Sequence, residues 1–270
     1  MIRKAYITKV FRDHLALITF SFVLLGLLQL LILSFVSNFQ LLEFMQDKIQ
    51  FMPEALQNFF GEEFFGKFSL KGVVAFGYNH PLLIALLGII SVILPAKHIS
   101  GEIENGNFEL LCSLPIKRLT ISLSLWAYSC VAVVIVICGC WTGTLVGSRI
   151  FLTSPTIPLS NLFKIGINLW LLMICINAFS FLISAFNREA GKAGLISGGL
   201  ILFFYFLNYI SKIWSPLQSF EWMTPFNYYQ PQKVMLNLSD IGSNIIILAS
   251  TSLLLLLGAF LKINKRDIPA

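Results

Sequence analysis

Charge is what this chain lacks. Only 12% of its 270 residues are Asp, Glu, Lys or Arg, against roughly 25% in soluble proteins, while 57% are hydrophobic. An ordinary soluble domain is excluded. Acids are missing altogether from six long stretches, Leu15–Ser37, Gly72–Ala96, Leu119–Ser148, Ile165–Asn187, Ala193–Ser211 and Ile241–Leu261. Proton-coupled transport needs a relay of buried carboxylates, and none can be built from these. Histidine is equally scarce. His14, His80 and His98 fall at stretch ends on different faces, so no metal triad is expected. Of five cysteines, Cys130, Cys138, Cys140 and Cys175 lie inside apolar stretches and Cys112 lies between two, so a disulfide framework is not expected. Cys138 and Cys140 are two residues apart, which on a helix points them about 200° away from each other, the wrong geometry for clamping one metal. A phosphate-binding G-x-x-x-x-G-K-[ST] sequence is absent too. Gly191-Lys192 is followed by Ala193 and lacks both the upstream glycine and the hydroxyl.

What is present is length without charge. A membrane-crossing helix needs about 20 apolar residues, and each of the six stretches is close to that or longer. The expected fold is all-α, a polytopic membrane protein with six transmembrane helices in one domain over residues 1–270. The second helix is expected over about 76–96, with Tyr78, Asn79 and His80 as an interfacial entry. The fifth is weakened by Gly194, Gly198 and Gly199, although glycine also lets membrane helices pack closely. With six spans both termini share a side, and that side collects twelve of the nineteen Lys and Arg and nets +6, while the other nets zero. By the positive-inside rule both termini are cytoplasmic, and the expected location is a bacterial inner membrane. Topology therefore accounts for the basic balance. The basic residues are spread over four short segments, so nucleic acid is not a partner. The first stretch is too long for a signal-peptide core and has no clear small-x-small site after it, which makes it an anchor.

Three connections have character. Residues 1–13 place Tyr6, Ile7, Val10 and Phe11 on one helical face and Lys4, Thr8 and Arg12 on the other, the pattern of an N-terminal surface helix in contact with anionic lipid. Residues 38–71 hold eight phenylalanines and are too apolar for disorder. Short amphipathic helices packed over the outer mouth of the bundle fit them. Residues 212–240 carry Pro216, Pro225 and Pro231 among Trp and Tyr, which forbids one continuous helix and points to broken helices shielded by protein.

The most informative segment is GEIENGNFELLCSLPIKR, residues 101–118. Asn105-Gly106 favours a turn, so the second helix is expected to reach about Glu104 and reverse. Asn107 then caps a short helix with Glu109 in its first turn, where the helix dipole favours an acid. Pro115 stops it. Phe108, Leu110, Leu111 and Leu114 make this helix apolar, and two turns are not stable alone in water. It must lie on lipid, on this protein's own cytoplasmic side, or in a partner's groove.

In this block Glu102, Glu104, Gly106, Glu109, Leu110, Leu111, Pro115, Ile116 and Arg118 fall in register with E-x-E-x-G-T-x-E-L-L-L-x-x-P-[IV]-x-R. The chain thereby resembles the permeases of type-2 ABC exporters, in which this pattern follows the second span. Asn107-Phe108 departs from the usual Thr-Leu, and Ser122-Leu123-Ser124 from a frequent Gly-Lys pair. The terminal Lys265-Arg266-Asp267 and the broken helices before the last span fit the same family. The resemblance implies a cytoplasmic coupling helix, Asn107, Phe108, Glu109, Leu110, Leu111 and Leu114, docked in a separate ABC ATPase subunit. Glu102, Glu104, Gly106, Pro115 and Arg118 would then form the loop's gate or strut, with the two glutamates pairing to Arg118, Lys4 or Arg12. It also implies a second permease copy, either identical or a paralogue, and export driven by ATP hydrolysis elsewhere. No cofactor, metal or catalytic residue is expected in this chain. The residues do not name a substrate. Uncharged, aromatic-rich spans suit a lipid-like or amphipathic one, but every lipid-facing helix shares that property. Two other readings compete. A membrane-embedded enzyme such as an intramembrane hydrolase has only Glu62-Glu63 to offer, in a connection without partner histidines. A non-transporting scaffold leaves the 101–118 segment unexplained.

Overall fold

A computed structural model describes residues 2–37, 70–108, 118–152, 157–239 and 241–266. Among these the chain is 89% helical with no strand. Six helical segments are long and apolar enough to cross a membrane: Thr8–Phe35, Leu70–Glu104, Arg118–Phe151, Leu159–Phe186, Ala190–Ile213 and Gly242–Lys265. All six coincide with the uncharged stretches, extended at their ends by the polar residues that helices carry into the interface.

Helix α1 runs unbroken from Ile2 to Val36. The expected N-terminal helix is there, but it continues into the first span instead of forming an element of its own. No proline interrupts residues 2–36 to turn the chain. Its apolar face is not all given to lipid either, because Val10 is buried in the bundle and Phe11 meets Tyr128 edge to face.

The second span has more parts than expected. Helix α2, Leu70–Tyr78, begins well before residue 76 and ends at Asn79. The His80 side chain then accepts from the Leu82 N–H at 3.2 Å and Pro81 opens α3, Pro81–Pro95. Proline is favoured in a first turn, where its missing N–H costs nothing. A π-helical turn, Ala96–Ser100, and α4, Gly101–Glu104, complete the span. A turn falls at Asn105-Gly106, as the residues indicate, and Gly106 takes φ +71°, a left-handed conformation suited to glycine.

Helices α5 (Arg118–Phe151), α6 (Leu159–Phe186) and α7 (Ala190–Ile213) follow. Between 214 and 240 the chain breaks up as the prolines require. It forms α8 (Ser215–Gln218), 3₁₀ turns at Glu221–Met223 and Pro225–Tyr228, and α9 (Pro231–Met235), with Pro216, Pro225 and Pro231 each in a first turn. Helix α10, Gly242–Lys265, closes the fold. Residues 38–69 lie outside the described residues, so the phenylalanine-rich connection is not placed.

Two kinds of seam hold the helices. Along α1 and α5 the seam is made by missing side chains. A Cβ on Gly139 would sit 2.6 Å from the Phe22 carbonyl oxygen, and one on Gly143 would overlap the Gly26 backbone. Around α6 the seam is made by amides. Asn161 donates to the Met235 carbonyl at 3.1 Å and to Asn237 Oδ1 at 2.9 Å, and Asn168 donates to the Tyr228 carbonyl at 3.1 Å. These bonds anchor the broken helices on the central span. Tyr229 adds a bond to the last carbonyl of α2, Tyr78, at 2.8 Å. Lipid offers no alternative partner to a freed carbonyl, and at the end of α2 the Tyr229 hydroxyl supplies one.

Candidate functional site

Residues 101–108 and Arg118 sit at the end of the bundle that also carries the starts of α1 and α7 and the end of α10. Its arm, the π turn and α4, is bonded to several helices at once. Ser100 Oγ donates to the Ser184 carbonyl of α6 at 3.1 Å. Glu104 Oε2 accepts the Ala190 N–H of α7 at 2.8 Å. That N–H is one of the donors every helix start leaves free, and Glu189, next to it, makes no capping bond of its own. An acid 86 residues away in sequence thus caps α7, where its charge also suits the helix dipole.

The arm meets α1 through two imidazoles. His14 Nε2 and His98 Nε2 are 2.9 Å apart, with the side chains 5% and 3% exposed. One ring donates and the other accepts, so the pair shares a single proton between them. His98 Nδ1 lies 3.8 Å from Glu102 Oε1, and the Glu102 carboxylate also faces the Asn107 side chain, with Lys9 of α1 nearby. The expectation that the three histidines stand apart is corrected here. His98, which lies in the π turn, meets His14 of α1, and His80 stands at the other end of the second span. No group of three or more metal-binding side chains forms among the described residues.

Arg118 does not pair with Glu102 or Glu104. Its Nη1 donates to the Arg266 carbonyl at 2.7 Å, and Arg266 in turn donates to the Ala185 carbonyl at 2.8 Å and the Ser184 carbonyl at 3.5 Å. Carbonyls in a helix's last turn have no intrahelical donor, and a guanidinium satisfies both the bonds and the dipole there. Burial and the neighbouring Arg188 lower the Arg266 pKa from its ordinary value, but a guanidinium remains charged. Both ends of the 101–118 segment are therefore tied to α6, one through Ser100 and the other through Arg118 and Arg266.

Of the residues singled out from sequence, Glu102, Glu104, Gly106, Asn107 and Phe108 come together at this end. Asn107 is already helical, one position later than a capping residue would be. Phe108 is 4% exposed and belongs to the chain's own apolar core. Its truncation would therefore destabilise the permease itself, by about 3 kcal/mol for a buried phenylalanine, and could not report on a partner alone. Glu109, Leu110, Leu111, Leu114 and Pro115 lie outside the described residues. Sequence reasoning missed His14, His98, Ser100 and Ser184. His98 and Glu102 stand four apart on one face and could have been paired, but nothing local points from His98 to His14.

In this geometry the end of the second span is bonded to α1, α6 and α7, and Arg118 to the chain after α10. The sequence matches the model of the ABC-2 family transporter proteins over residues 11–263. The chain belongs to that family. No individual curated protein matches it. As an ABC-2 permease it is the membrane component of an ABC transporter, multi-pass and not itself catalytic, and permeases of this kind work with an ATPase partner.

Proposed function

We propose that this permease is the membrane subunit of an exporter, with its basic end in the cytoplasm and residues 107–114 seated against a separate ATPase subunit. The observation that carries the reading is the bracing of the arm. The contacts at His98, Ser100 and Glu104 lead to α1, α6 and α7, and the bond at Arg118 leads to the chain following α10. A push delivered at residues 98–104 or at Arg118 therefore reaches four spans through direct side-chain bonds. Asn107 and Phe108 begin the docking helix, Phe108 by rooting it in the permease core. Glu109, Leu110, Leu111 and Leu114 supply the partner-facing part, with Pro115 as its stop. A scaffold would gain nothing from such an arrangement.

Two copies complete the transporter, and α7 supports that part of the reading. Only 17% of its membrane window is buried within the chain, against 67% for α6. A Cβ added at Gly191, Gly194, Gly198 or Gly199 would meet nothing within 4 Å. Glycines on a membrane helix permit close approach of another helix, and within one copy that capacity goes unused. The second copy, identical or paralogous, is the proposed occupant.

The docking reading is tested by co-expressing the permease with the ATPase subunit and purifying it by a tag on the permease. Glu109→Lys puts the wrong charge at a helix start, and we expect it to reduce retained ATPase on the order of tenfold. The permease should elute as a folded species either way. Unchanged retention would count against docking through this helix.

A further inference from the structure

Pro95 removes one hydrogen bond from the second span, and the structure shows what takes its place. In an unbroken helix the Ser91 carbonyl would accept the N–H four residues later, and that residue is Pro95, which has none. Instead Asn177 Nδ2 reaches across from α6 and donates to the Ser91 carbonyl at 2.8 Å, with both residues buried. Beside it Ser180 Oγ donates to the Val92 carbonyl at 3.2 Å. Immediately after Pro95 the backbone opens into the π turn Ala96–Ser100, and the braced arm begins there.

We propose that Asn177 is the positioning residue of this joint. It fills the carbonyl that proline orphans and so lets α3 end in an open turn inside the bundle. The open turn in turn sets the direction in which the arm leaves and carries His98 round to α1. An amide suits the task because it donates to a carbonyl without bringing charge into the bundle. Leucine has nearly the same size and cannot do this. That the arm is moved by an ATPase rests on the permease reading. The joint does not.

The test is a double-mutant cycle on the full chain in lipid nanodiscs, comparing wild type, Asn177→Leu, Pro95→Ala and the pair. With Pro95 in place, Asn177→Leu leaves a buried carbonyl without a donor and should lower the thermal unfolding midpoint by about 3–8 °C. In the Pro95→Ala background, the alanine N–H takes the Ser91 carbonyl, and the same change should cost less than about 2 °C. An equal loss in both backgrounds overturns the proposal, because Asn177 would then be an ordinary buried side chain. The rescued double variant supplies the second readout. Spin labels at positions 97 and 192, both exposed, should report a distance shifted by about 3 Å or more once the open turn closes into α-helix. A stable double variant with the wild-type distance also overturns it. Neither readout uses an ATPase. A failed joint therefore leaves the permease reading standing, and a permease that binds no ATPase leaves the joint standing.

Discussion

Glycine does opposite things in two parts of this molecule. Along the seam between α1 and α5, Gly26, Gly139 and Gly143 have neighbours pressed onto them, and the backbones touch where side chains would be. Along α7, Gly191, Gly194, Gly198 and Gly199 face nothing. In lipid there is no hydrophobic force to push helices together, so close packing and hydrogen bonds must hold them. The first seam is therefore a finished interface. The second face also carries glycines but has no partner among the described residues, and we read it as an interface waiting for one. Glycine content alone does not separate the two, since what matters is whether the space beside it is filled.

The comparison breaks most visibly at Gly143. A valine there must displace the Gly26 backbone, and backbone cannot yield as a side-chain tip can. We expect Gly143→Val to cost about 3 kcal/mol or more, seen as loss of the monodisperse permease on size exclusion and a lowered unfolding midpoint. Gly198→Val should leave that midpoint within about 2 °C of wild type, because the added methyls enter open space. What it should lose is association between copies, on the order of tenfold by concentration-dependent energy transfer between labelled permeases in nanodiscs or vesicles. If both variants behave alike, the distinction between filled and open glycines is wrong.

How much of this was legible beforehand depended on range. The spans could be read because length without charge is a local property, and the turn because Asn105-Gly106 is a local turn signal. The breaks between 214 and 240 followed from three prolines whose backbone limits do not depend on context. The bracing of the site was not legible. His14 meets His98 across 84 residues, and Glu104 caps α7 across 86. No periodicity connects such positions. The N-terminal helix shows the same limit from another side. Its apolar face was plain in the sequence, but whether Val10 would face lipid or the bundle depended on where α1 ran. Phe108 looked like a surface anchor for the same reason, since apolar character does not say which apolar neighbour will be found.

The smallest effect lies where the arm meets α7. Glu104 is an exposed cap, so Glu104→Gln keeps a bonding oxygen and loses only the charge near the helix start. We expect about 0.5–1 kcal/mol, a shift of about 1–3 °C in the unfolding midpoint, with Glu104→Ala somewhat worse. A larger loss would mean that the arm is holding α7 in place and not merely capping it.

The central claim is that the segment after α4 meets a separate ATPase, and cross-linking reaches it most directly. In a background without other cysteines, a photoreactive probe attached at Leu111→Cys would be activated in membranes containing both subunits. The account predicts an adduct of permease and ATPase, with Glu109→Lys suppressing it and a probe at Gln232→Cys, near the other end of the bundle, giving none. A folded permease that forms no adduct from position 110, 111 or 114, while ATPase is present and active in the same membranes, would contradict the account.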